Sequence, residues 1–525
     1  MDQSQQSSLL QKHRSTLCHH PGAQAARARY QRVVVMQHAT YDENSYRMRK
    51  EASVSDLTGT TMMELVLVST PIPMSVWLLM EVKALGGRHG HLNAAWALGW
   101  RGFTLEVLVV LLPSLAAMVW PACALTLLLS MAFASVCCRL ARRACFKAAT
   151  STLRSSARPY GSRSSFPMTG FVTNFRASVM VMTCITILAV DFQVFPRRFA
   201  KTEVFGTGLM DLGVGATVFA SGLSSGCRAK RIRREDGLPV WRAVLADVTY
   251  SAVRAWPLAA LGISRLAVIK GLGYQEHVSE YGVHWNFFAT LFFLRLVVVP
   301  MNRLHPARLR LYLALATLFV YQWMLAAGGL SEFVVDAPRD TLFSMNREGV
   351  LGIVGFVAIH YIAEELGSQV WAHRQTKERK DAVSSWRGLA ITAGFSIVLW
   401  GLALISRRFI QPTSRQVSWN RVGNMRMVNL TYVLWVCAHS TLMLTLLLVV
   451  DNVSLSPPRS QILAAVNINM FPVFMVANLA TGAINISMRT LDADRVTSLV
   501  ILSIYVVLVA GFAVALSNRN LVMKV

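Results

Sequence analysis

Apolar runs, each long enough to cross a bilayer, alternate with short polar stretches through most of the chain. A spanning helix needs roughly 20 apolar residues. Runs of that order lie near 62–81, 103–119, 121–138, 177–195, 205–225, 248–269, 283–300, 309–329, 349–367, 388–406, 428–450, 462–486 and 497–516. The pattern predicts an all-α, polytopic transmembrane helical bundle of about thirteen spans. The stretch 103–138 is too long for one span, and Pro121 near its middle predicts a tight hairpin. Residues 1–47 are polar, contain arginine, are poor in acids and lack periodicity. They read as a disordered N-terminal extension, with Met48 as an alternative start, and 48–525 read as a single transmembrane domain.

Composition strengthens the membrane reading. The 525 residues are 54% hydrophobic and 15% charged, whereas a soluble domain carries about 25% charged residues. The formal charge of +25 could suggest nucleic acid. Lysine and arginine, however, cluster between the apolar runs, where membrane topology puts them. Arg139, Arg142, Arg143, Lys147, Arg154, Arg158 and Arg163 crowd one connection, and Arg228, Lys230, Arg231, Arg233 and Arg234 another. Arg303, Arg308 and Arg310 mark a third, and Arg374, Lys377, Arg379 and Lys380 a fourth. With thirteen spans all four share one side, which the positive-inside rule makes cytosolic. The N-terminus is then expected in the lumen and the C-terminus in the cytosol, although the lumenal connection 407–427 is also basic. The eight cysteines form no CxxC pair and imply neither a disulfide framework nor a zinc site.

Polar residues inside apolar runs are the candidates for chemistry, since an ionisable group at a helix centre costs about 2.5–3.5 kcal/mol on insertion scales. Asp191 ends one run, FQVFPRRFAKTE turns the chain, and the next run opens FGTGLMDLGVG with Asp211. Asp191 and Lys201 can face each other across this turn, as a site or as an ion pair that pins it. Arg197 and Arg198 can bind substrate or anchor to headgroups. A second cluster holds Arg265, Lys270, Glu276, His277, Glu280, His284, Trp285 and Asn286. Its residue types suit sugar and phosphate contacts, with metal binding a weaker alternative. A third holds Asn346, Arg347 and Glu348 at the entry of a run, and His360 and Glu364 within it, either as substrate contacts or as a helix cap with buried hydrogen bonds. A fourth is NLATGAIN, where Asn478 and Asn485 serve the site or join helices. Gly206, Gly208, Gly213 and Gly215 form no dinucleotide fingerprint and are expected to permit close helix packing. GxSxG, Walker A and HExxH motifs are absent.

Together these clusters resemble the family of inositol acyltransferases of glycosylphosphatidylinositol (GPI) anchor synthesis. The resemblance covers essentially 48–525. It opens in KEASVSDLTGTTMMEL and is strongest in AVDFQVFPRRFAKTEVFGTGLMDLGVG and GISRLAVIKGLGYQEHVSEYGVHWNFF. It continues through NREGVLGIVGFVAIH and, more loosely, RMVNL, and closes in NLATGAIN. Gln193 stands where the family usually has proline, and Asp56 and Thr58 where it usually has asparagine and glycine. The resemblance implies a multi-pass enzyme of the endoplasmic reticulum that moves a long acyl chain, usually palmitoyl, from acyl-CoA to the inositol 2-hydroxyl of glucosaminyl-phosphatidylinositol. It implies essential roles for Asp191 and Lys201. Acyl-CoA would be a co-substrate, with no cofactor, metal or nucleic acid involved. Such chemistry suits a carboxylate base and a cation beside the thioester oxygen; His284 is the alternative base. The rival readings are a membrane acyltransferase acting on another lumenal acceptor, such as a glucosamine amine, and a transporter or flippase.

Overall fold

The structure, a computed structural model, describes residues 44–55, 57–86, 99–150, 170–202, 206–228, 239–271, 281–377, 383–409, 427–453 and 460–523. The chain divides into residues 1–55 and residues 56–525. In the first unit 44–52 are helical, with Arg47 and Glu51 paired at 3.9 Å one turn apart.

The second unit is all-α among the described residues, apart from an isolated bridge between Gly59 and Thr207. Its helices are α1 (Met62–Ser69), α2 (Pro71–Gly86), α3 (Trp100–Glu106), α4 (Leu112–Val119), α5 (Ala124–Thr150), α6 (Gly170–Ala189), α7 (Leu209–Arg228), α8 (Val240–Gly271) and α9 (Phe287–Leu304). They continue with α10 (Ala307–Ala327), α11 (Leu330–Val335), α12 (Leu342–Met345), α13 (Arg347–Lys377), α14 (Val383–Phe409), α15 (Leu430–Val453), α16 (Gln461–Ile468), α17 (Met470–Ser487) and α18 (Arg495–Asn518).

Eleven helical segments among the described residues are long and apolar enough to cross a membrane. The two other expected spans, 205–225 and 248–269, are the 20-residue α7 and the 32-residue α8. Both are long enough to span, and both carry charge within the span, Asp211 in α7 and Arg254 and Arg265 in α8. The expected hairpin at Pro121 is present, as Trp120 ends α4 and Pro121–Cys123 form a 3-10 turn. The expected span 462–486 is broken at buried Asn469 into α16 and α17. A π-helical turn, Val107–Leu111, joins α3 to α4.

Helices surrounded by lipid gain little from apolar burial against each other, so small residues that let backbones approach decide which pairs pack tightly. At the α7–α13 contact a Cβ on Gly222 would collide with the His360 carbonyl, and one on Gly226 with the Glu364 carbonyl. Gly367 of α13 meets the Leu223 carbonyl in the same way. Gly215 does what the sequence suggested for all four glycines: its added Cβ would lie 2.6 Å from Val436 of α15. Gly213 faces only Thr183 at an ordinary 3.6 Å, and Gly206 and Gly208 serve a loop instead. Helix α15 is the centre of the bundle, 83% of its apolar window being buried, whereas α9 and α14 reach 22% and α17 only 17%.

Polar contacts gather at the two ends of the bundle. At one end Asp191 meets Asn485, Arg198 meets Glu64, and Asn346 holds the His284 backbone. At the other, Glu106 takes Lys83 and the α16 N-terminus, Arg142 pairs with Glu81 at 3.3 Å, Arg303 with Asp247, and Arg310 with Glu364 at 2.9 Å. The four basic connections leave from the C-terminal ends of α5, α7, α9 and α13, all at this second end. A glycosylation acceptor placed before residue 44 is therefore expected to be modified in microsomes, and one appended after Val525 is not. Modification at both termini, or at neither, overturns this orientation.

Candidate active site

Helix α6 ends at Ala189, and the Asp191 N–H still donates to the Leu188 carbonyl at 3.1 Å, so Asp191 sits in the first turn beyond the helix. Three aromatic anchors then fix the path of the chain. Phe192, Phe195 and Phe199 are fully buried, the last two meeting edge to face at 6.0 Å. Pro196 is extended and leads into a short 3-10 turn, Arg197–Phe199. The turn is held by packing, which lets the polar side chains between the phenylalanines point elsewhere.

Asp191 Oδ2 accepts a 2.7 Å hydrogen bond from Asn485 Nδ2 on α17. Asn485 is itself fixed, its Nδ2 also donating to the Thr481 carbonyl and its Oδ1 accepting from Thr490 Oγ1 at 3.1 Å. This network assigns the amide orientation and presents a donor to the carboxylate. Half-buried Arg197 donates to the Val190 carbonyl. Burial pushes its guanidinium below its usual range while the Asp191 charge pulls the other way; no stability change follows at ordinary pH, because both effects act far above neutrality. Arg198 faces out and forms a two-pronged pair with Glu64 of α1, at 2.9 and 3.2 Å. It ties two segments together rather than reaching into the turn.

Lys201 lies with its Nζ 5.7 Å from the centre of the Tyr281 ring. The contacts shown for Asp191 and Lys201 thus involve different partners. Asp211 organises the backbone beside Lys201: its Oδ2 accepts from Thr202 N–H, Thr202 Oγ1 and Gly208 N–H at 3.2, 3.0 and 3.0 Å. Its own carbonyl accepts from Tyr432 Oη at 2.7 Å. A carboxylate with three donors in the first turn of α7 satisfies helix N-terminal groups and fixes the loop leading to it. The opening motif completes this loop. Thr60 N–H donates to the Thr207 carbonyl at 2.7 Å, and Gly59, at φ +75°, and Gly206, at φ +146°, allow the backbones to touch.

The second and third clusters are largely engaged in structure. Asn286 caps α9, accepting from Ala289 N–H and donating to the Gly262 carbonyl at 2.9 Å. Trp285 donates to Thr290, stacks on Phe293 at 4.8 Å and packs on Gly349. Asn346 accepts from the His284 N–H at 2.8 Å and donates to the Leu342 carbonyl. Arg347 is buried, with donors on the carbonyls of Val334, Ala337 and Pro338. His360 is buried 3.9 Å from Glu364, deep beside Arg310 and away from Asp191. Asn478 donates to its own helix at the Phe474 carbonyl. The His284 side chain is exposed. Glu276, His277, Glu280 and the Lys270 side chain lie outside the described residues. Among the described residues no group of three or more His, Cys, Asp or Glu could hold a metal ion.

The structure therefore gathers Asp191, Arg197 and Asn485 at one turn, with Lys201 on the loop that follows it. Thr490, Tyr281, Thr202 and Glu64 are supporting residues that the sequence reading missed: Tyr281 and Glu64 are distant in the chain from Lys201 and Arg198, and the two threonines, though near Asn485 and Asp211, are bland in type. Gln193 is exposed in the turn. Gln193→Pro is accordingly expected to keep activity within about tenfold of wild type, or ~1.4 kcal/mol in the barrier. A greater loss in a turnover assay would show that residue 193 shapes the turn.

The family model described as GWT1 matches residues 46–516. A protein of Gibberella zeae named GPI-anchored wall transfer protein 1 is 34% identical over 511 residues, covering 92% of this chain and 99% of that protein. A protein of the same name from Candida albicans is 32% identical over 383 residues, covering 68% and 76%. The Phosphatidylinositol-glycan biosynthesis class W protein of Dictyostelium discoideum is 30% identical over 514 residues, covering 92% and 99%.

Proposed function

This chain belongs to the GWT1 family, and from that premise we propose that it is a GPI-anchor biosynthesis O-acyltransferase of the endoplasmic reticulum membrane. It transfers a long acyl chain, palmitoyl in the first instance, from acyl-CoA to the inositol 2-hydroxyl of glucosaminyl-phosphatidylinositol. The observation that carries the reading is the Asp191 carboxylate, fixed by Asn485 at the end of a membrane helix, with Lys201 on the adjoining loop.

The chemistry follows from what these groups can do. An inositol hydroxyl is a weak nucleophile, so Asp191 takes its proton as the oxygen attacks the thioester carbon. Charge then develops on the former carbonyl oxygen, and the Lys201 ammonium stabilises it. Collapse breaks the carbon–sulfur bond and releases the CoA thiolate, which takes up the proton from Asp191. The hydrogen bond from Asn485 aims one carboxylate oxygen and leaves the charge on an acceptor-only group. Asn485→Ala removes a bond to a charged group, ordinarily about 1.5–3 kcal/mol. Turnover is expected to fall about 10- to 100-fold with little change in melting temperature. Unchanged turnover would remove Asn485 from the site.

The direct test is purified protein with radiolabelled palmitoyl-CoA and glucosaminyl-phosphatidylinositol. The expected product is a lipid that resists the phospholipase that cleaves through a cyclic inositol phosphate, because its 2-hydroxyl is esterified. Label recovered as an amide on the glucosamine nitrogen would favour the other acceptor, and absence of transfer would overturn the reading.

A further inference from the structure

Helices α8 and α9 form an antiparallel hairpin, and α8 packs substantially against no other described helix. Two contacts bracket the pair. Asp247 and Arg303 meet at one end, with a 3.3 Å bond from Nη2, and Asn286 donates to the Gly262 carbonyl at the other. Arg254 on α8 and Arg295 on α9 both lie between these brackets, roughly 10–13 Å along the helix from either one. In a hydrocarbon core about 30 Å thick that is mid-depth.

The two arginines lie at the same level of the packed hairpin, and the charged and titratable groups whose fields reach Arg295 are Arg254 and Tyr250. Arg254 donates to Tyr250 Oη at 2.6 Å and lies over the same ring at 5.4 Å. Asp247 is the sole acid in the two helices and is taken by Arg303. Among the described residues neither arginine has a carboxylate within ion-pair distance. The face around them is apolar and outward, with Val253, Trp256, Phe293 and Val297 exposed. Pro257 adds to the polarity at this depth, because it has no N–H to donate to the Val253 carbonyl.

Two like charges at mid-depth on an outward face call for an anion there. Headgroup phosphates lie beyond snorkelling reach from the middle of a span. A second copy of the same face would set four guanidiniums against one another. A carboxylate on a neighbouring helix meets both requirements, offering two oxygens to the guanidinium forks from within an apolar surface. We propose that the α8–α9 face docks a transmembrane helix of a partner protein that carries an ionised Asp or Glu near the middle of its span.

The test uses the full chain in phosphatidylcholine nanodiscs with fluorescent, leucine-rich transmembrane peptides as probes, one with a single central Glu and one with Leu there. The Glu peptide is expected to associate at least about tenfold more tightly. That preference should vanish in the double variant Arg254→Leu and Arg295→Leu, and survive in Arg254→Lys and Arg295→Lys. Melting curves establish that each variant is folded, and Arg→Gln replaces Arg→Leu if the latter is not. Equal binding of both peptides, or a preference that persists without the arginines, overturns the proposal. So does displacement of the Glu peptide by phosphatidic acid in the disc, which would make the pair a lipid site. Acyl transfer is not the readout, so the result is independent of the activity proposed above.

Discussion

Asp191→Asn is expected to yield a protein that folds, inserts and purifies like wild type yet has lost acyl transfer by about 10²–10⁴-fold, the usual effect of removing a general base. The substitution keeps the shape of the side chain and an oxygen to accept from Asn485, so the 2.7 Å contact can persist. Lys201→Met should lower turnover by about 10²–10³-fold, as removal of an oxyanion stabiliser does. The competing account makes the two residues a structural ion pair. Breaking one partner of a buried pair then destabilises the fold by about 3–5 kcal/mol, and the double variant recovers because no lone charge remains. A four-way cycle measuring both melting and turnover separates the two. Stable, inactive single variants with an inactive double variant support chemistry. A double variant that regains substantial turnover would sink the assignment and move the base to His284.

Gly226→Leu should be the most damaging single change outside the site, abolishing accumulation of folded protein. A Cβ at residue 226 would run into the Glu364 carbonyl and crowd the Ser368 N–H at 2.7 Å, and neither backbone group can swing aside. Overpacking in a core commonly costs about 1–3 kcal/mol, and more where backbone must move. Here α7 and α13 would have to separate along their length, which also opens the Gly222 and Gly367 contacts. Gly394→Leu on α14, where an added Cβ meets nothing within 4 Å, is the matched control and should be tolerated. Size-exclusion profiles and melting in detergent read both. Normal yield and melting for Gly226→Leu would show that the interface relaxes.

How much of this was legible beforehand differs by residue. Asp191, Pro196 and Lys201 lie within one short stretch, and an apolar run that stops at an acid and a proline announces a helix end and a polar turn. The Asp191–Asn485 bond joins positions 294 residues apart and carries no local signal. Asp211, Asn286, Asn346 and Arg347 stand out in the sequence only as polar or charged residues beside apolar runs. Their backbone partners, in a loop, at two helix ends and on three carbonyls, carry no local signal. Gly222 and Gly226, four apart in α7, make close helix contacts, whereas of Gly206, Gly208, Gly213 and Gly215 only Gly215 does so.

The sequence by itself determined the all-α membrane bundle, because spanning length and apolarity are local properties that each segment carries alone. It also determined where the polar turn at Asp191 falls, since proline and a terminal acid act on their own neighbours. Which partner each polar residue takes was decided only in the tertiary structure. A polar group buried among apolar helices must find a hydrogen-bonding partner, and the side chain alone does not say whether that partner is substrate or a carbonyl from a distant helix. The fold supplies partners for Asp211 and Arg347 and gathers Asp191, Asn485 and Arg197 at the turn that leads to Lys201, because α6 and α17, far apart in the chain, pack against each other.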